Sequence, residues 1–224
     1  IDLVVDLQNS GRTQIYHFFL KFFSNAKVLS ARKFSYYIYQ QQPLGIQHIT
    51  QNHQDQLKFL NIDKYFISDL SWMAKSNRFK EKYAVIIPGT SKSGEYKKWP
   101  IEKYAEVCNY LIKKNFKVFL TGSILDRSDI NSIIQLAPQA KDMTEESKID
   151  VFYDLCLHAN LIISNDTGPA HMAGLTNKDL IWLANDNKIS RSCHPLGNKV
   201  HKILSKNVKD IETKDVIKKI DQII

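Results

Sequence analysis

Residues 161–174 read Leu161-Ile162-Ile163-Ser164-Asn165-Asp166-Thr167-Gly168-Pro169-Ala170-His171-Met172-Ala173-Gly174, and the order strand, turn, helix in this stretch decides the fold class. Leu161 to Ser164 has the apolar run of a strand. Pro169 can open a helix, because the N–H it lacks would have no intrahelical partner in the first turn. The same punctuation recurs upstream, where Tyr83 to Ile87 predicts a strand, Pro100 to Lys114 a helix with proline at its first position, and Lys117 to Thr121 another strand. Asp126 is expected to cap a helix running to Leu136, and Ser147 a helix running to His158 with Asp150 three residues on. Downstream, Asp179 to Leu183 and Lys202 to Leu204 are strands. Thr213 is expected to cap a last helix whose Val216, Ile217, Ile220, Ile223 and Ile224 form one apolar stripe. Strands and helices alternating across short connections are the pattern of a doubly wound α/β unit.

Towards the N-terminus, Ile1 to Leu7 is a β-branched run expected of a strand buried on both faces of a parallel sheet. Arg12 to Phe23 predicts an apolar, aromatic helix, Lys27 to Ser30 a short strand, and Asn52 to Leu60 a helix ending before Asn61. Ser68 to Lys82 is polar and carries neither apolar period, which places a domain boundary near residue 78. The expected organisation is a partial α/β domain over 1–78, a Rossmann-like domain over 79–206 and a C-terminal helix over 207–224, packing between or across the two. Ile1 is not an initiator methionine and no targeting segment precedes the first strand, so the sequence is expected to be a piece of a longer chain.

The 224 residues are 43% hydrophobic and 24% charged, which excludes disorder and a fibrous repeat. No run approaches the roughly 18 consecutive apolar residues of a membrane span. Basic residues number 31 against 23 acidic ones, a net +8 that attracts phosphates of any kind. Of those 31, 26 are Lys and 5 are Arg. Base and fixed-phosphate recognition favours the Arg fork, so nucleic acid is not the expected partner and an anionic membrane surface is a secondary one. Cys108, Cys156 and Cys193 are odd in number and far apart, which points to a reducing, cytoplasmic location and away from a structural metal.

Glycine is scarce, 8 in all, and 5 of them lie between residues 89 and 174. Gly89, Gly122 and Gly168 each fall just past an expected strand, where open α/β sheets bind ligands. The loop Pro88-Gly89-Thr90-Ser91-Lys92-Ser93-Gly94-Glu95-Tyr96 has the glycine spacing of a P-loop, but Glu95 and Tyr96 stand where Lys and Ser or Thr are needed, which argues against ATP hydrolysis. Backbone N–H groups near Gly89, the hydroxyls of Thr90 and Ser91, and Lys98 suit an anion; the loop reads equally well as an ordinary solvated connection. In 164–174, Gly168 permits close backbone approach at a helix N-terminus, with Thr167 before it, Pro169 after it and His171 in the first turn. Asp166 suits sugar hydroxyls better than a phosphate. The alternative is that Asp166 or Thr167 only caps the helix and His171 packs against the sheet.

Asp166-Thr167-Gly168 is also the aspartic protease triplet, but it occurs once and runs straight into a helix, whereas that chemistry needs a second, facing carboxylate. The chain contains no Asp-x-Asp pair of the kind that holds a divalent ion in many sugar transferases, so the expected metal set is none.

The loop from Pro88 to Pro100 with its Lys98-Trp99-Pro100, the Thr121-Gly122-Ser123 turn with Asp126, and Asn165-Asp166-Thr167-Gly168-Pro169-Ala170-His171-Met172-Ala173 resemble, in order and spacing, the lipopolysaccharide heptosyltransferase family, glycosyltransferase family 9. Ile1-Asp2-Leu3-Val4-Val5-Asp6-Leu7-Gln8 followed by Arg12 resembles that family's N-domain strand and loop, although Asn9-Ser10-Gly11 stands where the family usually has Gly. The resemblance implies an α/β fold of GT-B type with two Rossmann-like domains, the N-terminal one incomplete. It implies inverting, metal-independent transfer of a sugar, heptose in the first instance, from an ADP-sugar to a lipopolysaccharide core or related glycolipid. The ADP-sugar is then a substrate and no cofactor is required. Carried over by position, Thr90, Ser91 and Lys98 would meet the diphosphate, Asp126 would lie on the nucleotide side and Asp166 would hold sugar hydroxyls. Thr167, Gly168, Pro169 and His171 would complete the phosphate cradle, with Gly89 and Gly122 in the donor loops. Lys98, Asp166 and His171 are the expected catalytic set. The family's opening strand and loop, which carry its catalytic aspartate, have no counterpart ahead of Ile1, so the base is not assigned. The competing reading is a non-catalytic sugar-nucleotide-binding module.

Overall fold

A computed structural model describes residues 1–64, 69–74, 79–144 and 148–224. The chain falls into two compact units, Ile1–Ile67 with Arg191–Cys193, and Ser68–Ser190 with His194–Ile224. The division comes earlier than residue 78, a position outside the described residues, as is the Ser147 expected to cap a helix. Its physical cause is the single 3-10 turn Ser71–Met73, which packs against the helix Ile149–Leu157 and buries Met73 in the second unit.

In the first unit three parallel strands, β1 (Leu3–Val5), β2 (Lys27–Ser30) and β3 (Tyr37–Ile38), pair in that order. Among the described residues β1 pairs with β2 alone, and Leu3 is exposed and Val4 and Val5 are half-buried, not buried on both faces as its apolar run suggests. Helix α1 (Gly11–Phe23) starts at a reciprocal cap, with the Thr13 N–H donating to Ser10 Oγ at 3.1 Å and the Ser10 N–H to Thr13 Oγ1 at 3.0 Å. Helix α2 (Ile49–Lys58) begins before the expected Asn52, because the His48 ring accepts the Thr50 N–H and caps it. The unit's interior is mainly polar. Gln56 donates to the Asp6 and Leu29 carbonyls at 2.9 and 3.2 Å and accepts from Asn9 Nδ2 at 2.9 Å. Only Val28 and Leu29 are buried hydrophobics among its described residues.

The second unit is a six-stranded parallel sheet. Its strands are β4 (Tyr83–Ile87), β5 (Lys117–Leu120), β6 (Lys141–Asp142), β7 (Leu161–Asn165), β8 (Leu180–Asn185) and β9 (Val200–Ser205), in the order β6-β5-β4-β7-β8-β9. Strand alternation sorts the core into two layers. Ala84 and Ile86 face α3 (Ile101–Lys113) and α4 (Arg127–Leu136), whereas Tyr83, Val85 and Ile87 face α5 (Ile149–Leu157) and α6 (Gly168–Gly174). A five-residue helix, α7 (Lys188–Ser192), follows β8.

Three local expectations need correction. Pro100 occupies the N-cap of α3 with ψ 141°, one residue before the first helical turn. Asp126 stands at the start of α4 but makes no capping bond to it, its carboxylate being turned back to Ser123. The last helix, α8 (Thr213–Ile223), has Glu212 at its N-cap and Thr213 as its first helical residue. Helix α8 lies on α3, with Val216 and Ile220 fully buried in the core that α3 and α4 share.

Candidate functional site

Counting from β4, the strand order runs 3-2-1-4-5-6, so the winding reverses between β4 and β7, and ligands bind open α/β sheets beyond the carboxyl ends at that point. The carboxyl end of β4 carries Pro88 and Gly89, and that of β7 carries Asn165 and Asp166. Asn165 is fully buried and joins them. Its Nδ2 donates to the Pro88 carbonyl at 2.5 Å, and its Oδ1 accepts the Trp99 N–H at 3.1 Å and the Tyr104 hydroxyl at 2.9 Å. The Trp99 indole donates to the Ile211 carbonyl at 2.9 Å, and its ring meets Tyr104 edge-on at 4.9 Å. From the end of β8, Asn185 donates to the Tyr96 carbonyl at 3.2 Å. The loop 88–100 is therefore held by two strand-end amides, neither of which was given a role from the sequence.

This anchoring separates two adjacent lysines. Lys97 Nζ lies 2.7 Å from Asp166 Oδ2, in a pair whose side chains are 28% and 15% exposed. Lys98 points elsewhere, with its Nζ 2.7 Å from Asp129 Oδ2 and 2.8 Å from Glu95 Oε1. Burial pushes the Lys98 ammonium down, but hydrogen bonds and charge from Asp129 and Glu95 outweigh it and hold the group above the usual lysine range. The structure thus brings Lys97, not the expected Lys98, to the Asp166 loop. No periodicity distinguishes neighbouring lysines, so the sequence carries no signal that could have separated them.

Asp126 is buried. Its Oδ2 accepts the Ser123 N–H at 2.8 Å and the Ser123 hydroxyl at 2.7 Å. A β-carbon on Gly89 would come within 2.4 Å of Asp126 Cγ, and one on Gly122 within 3.0 Å of its Cβ. Asp126 therefore clamps the turns after β4 and β5 together, and this packing explains both glycines without a ligand. Thr90 Oγ1 donates to the Ser91 carbonyl at 3.3 Å, and Ser91 Oγ lies 3.3 Å from Ser93 Oγ, at the head of a 3-10 turn over Lys92–Lys97. Gly168 differs, because nothing lies within 4 Å of where its β-carbon would be. Thr167 is the N-cap of α6 without a side-chain capping bond, Pro169 is in its first turn and His171 is exposed.

Beside this loop a cavity of about 350 Å³ opens at the ends of β4 and β5, walled by Ile87, Thr121, Gly122, Ile149, Phe152, Gly168, Pro169 and Met172. Apolar walls beside the N-terminal turn of α6 suit a heteroaromatic ring joined to an anion. Among the described residues, no cluster of three or more His, Cys, Asp or Glu side chains is placed to hold a metal ion.

Residues 24–220 match the sequence profile of glycosyltransferase family 9 (heptosyltransferase). The chain belongs to that family. Its similarity to lipopolysaccharide heptosyltransferase 2 of Escherichia coli K12 is 30% identity over 101 residues, 43% of this chain and 29% of the relative, so the match spans under a third of that protein's length. The structure of the E. coli heptosyltransferase WaaC with ADP superposes with a TM-score of 0.77 at 14% identity, over 100% of this chain and 73% of that one. That of E. coli ADP-heptose lipopolysaccharide heptosyltransferase II gives 0.68 at 19% identity, over 99% of this chain and 75% of that one. At such identities the structural likeness establishes the fold of this family-9 chain, the α/β GT-B type, and the residue roles rest on its own geometry.

Proposed function

We propose that the second unit binds an ADP-sugar, heptose being the sugar the family relationship favours, and that the protein transfers this sugar to a lipopolysaccharide core or related glycolipid acceptor. The observation that carries the reading is the Lys97–Asp166 pair, set at the winding reversal next to an apolar cavity of about 350 Å³. The base would lie between Phe152, Met172 and Pro169, with the diphosphate passing the open space at Gly168 towards Lys97 and His171. Asp166 alone would repel a diphosphate. Paired with Lys97 it orients the ammonium and keeps its other oxygen for a sugar hydroxyl.

In the reaction the acceptor hydroxyl attacks the anomeric carbon from the face opposite the diphosphate, so the configuration inverts. The bond from the anomeric carbon to the diphosphate oxygen breaks with its electron pair, ADP leaves, and the hydroxyl proton passes to a base this chain does not identify. Charge grows on the leaving oxygen, and Lys97 would stabilise it more in the transition state than in the ground state. A lysine in that role takes the place of a divalent ion, which supports metal-independent transfer. Three cysteines that are odd in number and far apart in sequence, Cys108, Cys156 and Cys193, support a cytoplasmic site of action, with the glycolipid presented by a membrane.

Titration calorimetry with ADP, an ADP-heptose and a UDP-sugar, each with and without a chelator, tests this. Binding of the two adenine ligands should survive chelation and exceed that of the UDP-sugar, and duplex DNA should not compete. Loss of ADP binding on chelation, or preference for uridine, would overturn the reading.

A further inference from the structure

The cavity beyond β4 and β5 is walled by apolar side chains except for two hydroxyl residues, Thr121 and Ser123. The two are not equivalent. Ser123 is engaged within its own turn, donating its hydroxyl to Asp126 Oδ2 at 2.7 Å and accepting the Leu125 N–H at 3.3 Å. Thr121 is 3% exposed, and its hydroxyl has no hydrogen-bond partner among the described residues. Strand alternation gives its direction. Val118 and Leu120 of β5 pack in the core shared with α3 and α4, whereas Phe119 packs towards α5 and α6. The Thr121 N–H still donates to the Ile86 carbonyl at 3.0 Å, so the alternation carries one residue past the strand and turns Thr121 to the Phe119 side. Val85 pairs with Phe119 and Ile86 with Leu120, which sets Thr121 beside Ile87 where the strands end and the cavity begins. A hydroxyl in such a place is costly unless something bonds it, and a ligand that displaces solvent from it must replace the bond.

We infer that Thr121 is a specificity-determining residue of this site, its hydroxyl bonding the polar edge of the base that lies opposite the glycosidic bond. The inference rests on the donor proposal and deepens it. With the diphosphate passing Gly168, the glycosidic bond faces that mouth of the cavity and the opposite edge of the base faces the strand ends. In a 6-aminopurine this edge carries the amine and the ring nitrogen N1, and a threonine hydroxyl can accept from the first or donate to the second. The walls of Ile87, Ile149, Phe152, Pro169 and Met172 supply contact area to any flat ring of suitable shape. Discrimination comes from the one polar group that is left unbonded when the ring has nothing to offer it.

A cycle that alters protein and ligand together tests this, by titration calorimetry of ADP and of benzimidazole riboside diphosphate, which keeps the shape of the purine and has no polar atom in its six-membered ring. The parent should bind ADP about five- to tenfold more tightly than the benzimidazole ligand. Thr121→Val, nearly the same in shape, and Thr121→Ala should bring the two affinities within about twofold of each other, whereas Thr121→Ser should keep the preference for ADP. A purely structural role for Thr121 would weaken both ligands alike and leave their ratio unchanged. An unaltered ratio in Thr121→Val, equal binding of the two ligands by the parent, or loss of the preference in Thr121→Ser overturns the inference while leaving ADP binding by the parent, and with it the donor proposal, intact. A parent that binds neither ligand defeats the donor proposal and this inference together.

Discussion

Lys97 and Lys98 are neighbours whose ammonium groups serve different carboxylates, and exchanging each for alanine should separate a ligand role from a structural one. A charge-assisted hydrogen bond to the leaving diphosphate is worth about 1.5 to 3 kcal/mol, so Lys97→Ala should lower turnover of the complete enzyme roughly ten- to a hundredfold and weaken ADP binding. Lys98→Ala removes a partly exposed pair with Asp129 and Glu95 and should cost about 1 kcal/mol of stability with turnover within a few-fold of the parent. Exposed Lys92, on the same loop, is the control. If Lys98→Ala shows the larger loss of turnover and ADP affinity, the assignment reverses. The thiols give a second residue-scale test. Burial pushes the Cys108 thiol up to about 12 and raises Cys156 too, whereas Cys193 is partly exposed. Iodoacetamide at mildly alkaline pH should label Cys193 alone in the folded protein, because the thiolate is the nucleophile. Linkage gives the sign: the unfolded Cys108 thiol ionises near 9 and the folded one near 12, so the unfolded chain binds fewer protons in that window and stability falls as pH rises from about 9 to 12.

At the scale of elements, what was legible in the sequence had period and length, and what was not depended on a distant partner. Tyr83 to Ile87 and Lys27 to Ser30 are strands with the bounds their apolar runs give, because a run of that kind fits a parallel sheet covered by helices or loops. The two-residue strands β3 and β6 are too short to show any period. The early start of α2 hangs on a histidine cap, a residue type outside the usual capping set. Of the site, the glycine turns and the loop after β7 were readable as strand-end punctuation. The role of Asn165 was not, nor was the packing of Asp126 against Gly89, since each acts across a gap in sequence that only folding closes. Asn165→Ala would strand the Trp99 N–H and the Pro88 carbonyl in a buried place, at a cost of about 3 kcal/mol or more. Because those bonds hold the loop carrying Lys97, ADP affinity should fall with stability in Asn165→Ala. Ile220→Ala, at a fully buried position of α8, should cost about 2 to 5 kcal/mol with ADP affinity of the folded fraction unchanged. Calorimetric melting and ADP titration of both variants check this, and equal affinities would show that the amide does not position the loop.

Over the whole molecule the two units differ in what holds them. Both hydrophobic clusters, with Trp99, Trp182 and the full faces of β4, β5, β7 and β8, belong to the second unit. The first buries two hydrophobic side chains among its described residues and relies on the amides of Asn9, Asn52 and Gln56 and on the Asp6–His17 contact. Apolar burial contributes roughly 25 cal/mol per Å², whereas an intramolecular hydrogen bond nets only about 1 kcal/mol after water is accounted for, so the first unit should open well before the second. The distribution of tryptophan makes this measurable without labels. Trp72, Trp99 and Trp182 all lie in the second unit, so indole fluorescence reports that unit alone, while far-ultraviolet circular dichroism also sees α1 and α2. In urea the dichroism should begin to fall at lower denaturant than the fluorescence, and amides of β2 should exchange with solvent faster than those of β4 and β7. ADP, which the proposed function assigns to the second unit, should move the fluorescence midpoint upward and leave the early part of the dichroism curve where it was. Superimposable curves would mean that the polar network of the first unit is coupled to the second core, and independent opening would have to be abandoned.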